Sequence, residues 1–245
     1  MLATCHFPAL CTLRLDDNQL GDAGVIAIAN APWAENLRML TIGQWGGGKD
    51  KPSYTDEGFR ALCESPHLSN LTSLSITGSF TGDLAAVMNK LNWPNLRDLH
   101  FIGLHLRDEG ALKIITSEFA RNLITLTLEN CRLSDQTLNA IQEHGSDWQL
   151  GLLRLSNNRF EKYGLATLAE KGTLPKLRGL NVSYCDMMIP TLMRFAQTAF
   201  AKRLRQIVLY GNATSAQLQT LIAGREYATL GADWLEQDHL RNHNW

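Results

Sequence analysis

Gly43 and Gly48-Lys49 have the spacing of a phosphate-binding loop, G-x-x-x-x-G-K-[ST], and they follow a stretch with strand character. The chemistry would be nucleotide binding, with backbone N–H groups around the phosphates, the lysine against them and a hydroxyl on Mg²⁺. Asp50 stands where the hydroxyl is needed and adds negative charge beside the phosphates. Lys51-Pro52-Ser53 follows, so no helix N-terminus faces the anion. The segment therefore reads as an insertion loop, and Trp45, Lys49 and Tyr54 are its candidates for touching a partner. His239 and His243, beside Asp238, would share one helix face. A metal centre needs three or four converging ligands, so a solvated helix is the expectation there. His6, His67, His105 and His144 have no carboxylate at catalytic spacing, and no Ser or Cys carries a local nucleophile motif. Accordingly no enzymatic activity, cofactor, metal or small-molecule substrate is expected.

A better set of polar residues recurs between paired leucines. Arg14, Asp16, Asp98, His100, Glu129 and Arg154 interleave with apolar positions, and Tyr184 and Tyr210 follow near the end of the series. Aromatic and arginine side chains are the usual anchors of protein interfaces. What positions them is a repeated frame. Leu10-x-x-Leu13-x-Leu15-x-x-Asn18-x-Leu20 returns with first leucines at Leu37, Leu71, Leu96, Leu123, Leu150, Leu177 and Leu204. The successive intervals are 27, 34, 25, 27, 27, 27 and 27. The alternating L-x-L core predicts a short strand with every second side chain inward. Asn18, Asn158 and Asn212 recur at the bend after it, where a side-chain amide can bond backbone groups, and Cys131 and Cys185 take the same place in their repeats. Trp45, Ser79 and Leu104 depart from that rule. Ser, Thr or Asp then precedes apolar residues at helical spacing, such as Leu138 and Ile141, as helix N-caps do.

The frame resembles leucine-rich repeats, and the 27-residue period resembles their ribonuclease-inhibitor-like class. Ala61-Leu62-Cys63-Glu64-Ser65-Pro66-His67-Leu68-Ser69-Asn70-Leu71-Thr72-Ser73-Leu74 is similar to repeats of bacterial, planctomycete-type families. The resemblance implies an α/β solenoid (horseshoe) of about eight strand–helix repeats. Parallel strands would line the concave face and helices the convex one. It also implies a non-catalytic protein–protein interaction module binding a protein partner through the concave face and adjacent loops. Ran GTPase-activating proteins share this architecture, so regulation of an enzyme such as a GTPase is the alternative. No signature matching theirs stands at the strand-to-helix loops.

Composition sets the outer bounds. The chain has 245 residues, 44% hydrophobic and 19% charged, which suits a folded core. Lys+Arg 23 against Asp+Glu 24 leaves a net charge of −1, without the basic excess of a nucleic-acid-binding surface. No run approaches the roughly 18 apolar residues of a membrane span. Five cysteines without a C-x-x-C pair suggest neither disulfides nor zinc, and a reducing, cytoplasmic setting is expected. The expected organisation is a repeat domain over 1–224, with an insertion at 43–54, and a capping segment over 225–245.

Overall fold

The computed structural model describes residues 5–212, apart from 19, 44–53, 79, 89, 161–163 and 171–172. Eight strands form one parallel sheet, with the small strands β3 (Tyr54–Thr55) and β5 (Phe80–Thr81) lying outside it. The strands of the large sheet are β1 (Thr12–Asp16), β2 (Met39–Gly43), β4 (Ser73–Thr77), β6 (Asp98–Ile102), β7 (Thr125–Glu129), β8 (Leu152–Arg154), β9 (Gly179–Asn181) and β10 (Gln206–Val208). Each pairs with the next in chain order. The register follows the leucine frame: Leu13, Leu40, Leu74, Leu99, Leu126, Leu153, Leu180 and Ile207 lie side by side. A slip of one residue would turn this whole row out to solvent, so the alternation itself holds the register.

Helices alternate with the strands: α1 (Gly21–Ala29), α2 (Asp56–Glu64), α3 (Leu84–Val87), α4 (Arg107–Ile115), α5 (Asp135–His144), α6 (Gly164–Glu170), α7 (Ile189–Ala196) and α8 (Ala199–Arg203). Their apolar faces close over the inner side of the sheet. Leu138, Ile141, Leu165 and Leu168 are all buried there. The result is a solenoid-like α/β fold in which each repeat completes the core of its neighbours. Helix α3 is only four residues long and belongs to the shortest repeat. Trp93 fills the space beneath this repeat, fully buried, with its ring 6.3 Å from Phe101 and 6.2 Å from Phe119.

At the bends, Asn158 accepts from the N–H groups of Cys131 and Leu133, both at 3.0 Å, and donates to the carbonyls of Leu128, Leu155 and Ser156. Asn212 repeats this two repeats on, accepting from Cys185 and Met187 and donating to Val182. One repeat before each asparagine, the thiols of Cys131 and Cys185 donate to backbone carbonyls of the preceding repeat, Phe101 and Leu155. A ladder of alternating Cys and Asn thus satisfies backbone that would otherwise be buried without partners.

The helix entries differ from the expectation of simple N-caps. Thr55 and Ser134 do cap their own helices, accepting from Glu57 and Gln136. The aspartates Asp22 and Asp108 instead reach across to the next repeat. Asp22 accepts from Thr55 N, Thr55 Oγ1 and Gly58 N. Asp108 accepts from Ser134 N and Oγ and from the N–H and hydroxyl of Thr137. Each carboxylate therefore sits in the first turn of one helix and at the entry of another, where unpaired N–H groups favour negative charge. Gly58 is required there, because a Cβ would come within 2.5 Å of Asp22 Oδ1.

Two further departures concern the insertion and the first strand. Strands β3 (Tyr54–Thr55) and β5 (Phe80–Thr81) pair outside the main sheet. Leu13 and Leu15 in β1 are only partly buried, whereas their counterparts in β2 to β9 are fully inside. The segment 225–245, expected to cap the last repeat, lies outside the described residues, as do His239 and His243.

The thiols separate into two classes. Cys63, Cys131 and Cys185 are buried, while Cys5 and Cys11 are exposed. Burial pushes Cys131 and Cys185 up to about 12, and Cys63 upward as well. The thiolate is the reactive form, so the three buried thiols should resist alkylation at pH 8. Iodoacetamide on the native chain should label Cys5 and Cys11 within minutes and the others only after unfolding. Mass spectrometry of the digested protein reads this directly, and fast labelling of Cys131 would contradict the packing.

Candidate functional site

The side chains between the leucines point away from the helices and form rows across the open face of the sheet. The middle row runs Arg14, Thr41, Ser75, His100, Thr127, Arg154, Asn181 and Val208. Asp98 stands on one side of it, two residues before His100, and Glu129 on the other, two after Thr127. Asp98, His100, Glu129 and Arg154 thus come together on three neighbouring strands, as a polar centre of the face.

His100 Nδ1 and Thr127 Oγ1 are hydrogen-bonded at 2.9 Å. Thr127 is buried, so the contact fixes the ring instead of exposing a nucleophile. Burial is the main influence holding His100 below its ordinary value of 6.5; Asp98 opposes this and Arg154 reinforces it. His100 is therefore neutral at neutral pH. The unfolded chain takes up a proton as pH falls through 6.5 while the folded chain resists it, so this contribution to stability is present above 6.5 and is lost below. An NMR titration should place the His100 midpoint below 6.5. Arg154→Gln should raise it and Asp98→Asn lower it further; a midpoint unmoved by Arg154→Gln would contradict the geometry.

The other candidates fall at the ends or outside. Arg14 and Asp16 are on β1, three strands from β6, about 14 Å at ordinary strand spacing. Asp16 accepts from Thr41 Oγ1 at 2.8 Å, and Arg14 reaches Met39 Sδ. At the far end Tyr184 and Tyr210 meet edge to face, with ring centroids 5.5 Å apart. Trp45 and Lys49 lie outside the described residues, as does most of the insertion. Tyr54 does not face a partner: it is 1% exposed, stacks on Phe80 at 4.9 Å and donates to the Asn18 carbonyl. Its apolar ring fills the gap between the repeats around α1 and α3, which is why a tyrosine next to a polar loop ends in the core.

One region escaped the sequence reading. Beyond the strand ends, Asn130, Asn157 and Tyr184 recur every 27 residues with positive φ of 51°, 56° and 52°. Two residues after each stand Arg132, Arg159 and Asp186. These loops line a shallow cavity of about 700 Å³ at the strand-to-helix edge. The signal for them in the sequence is the 27-residue recurrence itself, since no local residue pattern marks a loop position after a strand.

Among the described residues, no group of three or more His, Cys, Asp or Glu side chains converges as a metal site. Among the same residues, no helix is long and apolar enough to cross a membrane. No family model and no curated protein matches the chain. Among solved structures it is similar to a chain in the crystal structure of the Rad7 and Elc1 complex in yeast. That match has 14% identity over 87% of this chain and 73% of the other, with a TM-score of 0.32.

Proposed function

We propose that this chain is a leucine-rich repeat solenoid of the ribonuclease-inhibitor-like type, and that it is a non-catalytic module binding a protein partner across the open face of its sheet. The observation that carries the reading is the row structure of that face. Seven unbroken strand pairings present polar and charged side chains at fixed spacing, centred on Asp98, His100, Glu129 and Arg154. Such a surface is rigid before binding, so little ordering cost offsets its contacts. Tyr184 and Tyr210 supply aromatic area of the kind that dominates binding energy, and the charges of the centre supply specificity. Five cysteines without a C-x-x-C pair suit a reducing, cytoplasmic setting.

A photo-reactive amino acid at position 154 tests the reading, with one at the exposed Leu112 of α4 as comparison. Cross-linking to one protein from position 154 and not from 112 is the expected result. Cross-linking from 112 alone would move the interface to the helices.

A further inference from the structure

The cavity at the strand-to-helix edge has a charge and a conformation that the open face does not explain. Its charged lining is Arg132 and Arg159 against the single carboxylate of Asp186, with Asn130 and Asn157 between them and Tyr184 at one side. Arg132 and Arg159 belong to adjacent repeats, whose backbones are joined here by the bond from Arg159 N to Leu133 O at 3.0 Å. Positive charge also extends past the cavity: Arg132 and Arg107 both hold the His105 imidazole below its ordinary value, after the larger effect of burial.

Tyr184 is the second observation. After β1, β4, β6, β7, β8, β9 and β10 one residue adopts positive φ, and six of these seven positions hold Asp17, Gly78, Gly103, Asn130, Asn157 and Gly211. Those residue types tolerate the left-handed region readily, whereas bulky ones, here Tyr184 and elsewhere Arg107, Arg132 and Leu174, occupy it at a cost. Tyr184 nevertheless sits there at φ 52°, and it is 50% exposed, so core packing does not explain it. Its ring lies over Gly211, where any Cβ would overlap it. The chain thus keeps a costly residue on the cavity wall and a glycine beneath it to make room. Backbone strain retained at an exposed position is characteristic of binding sites.

We infer that this cavity binds an acidic peptide segment of the protein partner, with carboxylates on Arg132 and Arg159 and the chain backed by the Tyr184 ring. The inference rests on the interaction reading above. Planar guanidinium groups one repeat apart match side-chain carboxylates in two-point hydrogen bonds. The asparagine amides can bond the peptide backbone, and Asp186 sets polarity by disfavouring a further acidic residue at its end.

The test is fluorescence polarisation of the full chain with a labelled synthetic peptide rich in Glu and Asp, against its Gln and Asn isostere. The acidic peptide should bind, and its Kd should weaken at least tenfold between about 50 and 300 mM salt, as exposed charge pairs do. Arg132→Glu with Arg159→Glu should weaken it at least tenfold, and Asp186→Asn should tighten it about threefold. Tyr184→Asn should weaken it at least fivefold while leaving the melting temperature equal or higher, which a structural role for the ring would not allow. Equal binding of both peptides, or wild-type affinity in the double arginine variant, would overturn the inference. So would binding of inorganic phosphate without the peptide. If the peptide fails while position 154 still cross-links a partner, this site is wrong and the open-face reading stands. Loss of both removes the interaction reading itself.

Discussion

Replacing Asn158 with alanine is expected to lower the stability by about 3–5 kcal/mol, roughly 10 °C in melting temperature for a chain of this size. The side chain is buried and makes five hydrogen bonds, two as acceptor and three as donor. Alanine leaves the N–H groups of Cys131 and Leu133 in the interior without their acceptor. An unsatisfied buried donor costs more than the net value of the bond it loses. Asn158→Cys is the informative comparison, since a thiol holds the same position at Cys131 and Cys185 and donates there to a carbonyl. It should recover part of the loss, because one donor returns while the acceptor for two N–H groups does not. Thermal and urea melts followed by circular dichroism check both. A loss below about 1 kcal/mol in Asn158→Ala would mean that the ladder is not a principal support of the stack.

Asp108→Ala is expected to cost about 2–4 kcal/mol, from four hydrogen bonds to Ser134 and Thr137 at the entry of α5. The effect is on the neighbouring repeat. Amide exchange should therefore accelerate in α5 more than in α4, although the substitution lies in α4. Asp108→Asn keeps one acceptor oxygen and should cost about half as much. Faster exchange confined to α4 would show that Asp108 caps only its own helix.

The strand register was legible, because alternation of period two has one solution when one face is buried, and Leu99, Leu126 and Leu153 align as the 27-residue spacing requires. The Asn and Cys ladder was legible for the same reason, since both types recur at one frame position. The bridges made by Asp22 and Asp108 were not, because a first-turn aspartate looks the same whether it serves its own helix or the next. Tyr54 was misplaced because its neighbours in sequence are polar, while its partners in space, Phe80 and the Asn18 carbonyl, come from the following and preceding repeats. Within the candidate site, Asp98, His100 and Arg154 were found because strand alternation turns them outward. Arg132 and Arg159 were missed because nothing local marks a loop residue after a strand. Only the positive φ of Asn130, Asn157 and Tyr184 displays them as one surface.

Binding of a protein partner by the open sheet face is directly testable. The most direct measurement is capture from native lysate by the wild-type chain, compared with a variant carrying Asp98→Ala, Glu129→Ala and Arg154→Ala. Circular dichroism should confirm that both are folded, as these side chains lie outside the core. One stoichiometric partner retained by the wild type and lost by the variant is the expected result. A partner held equally by both folded proteins would contradict it.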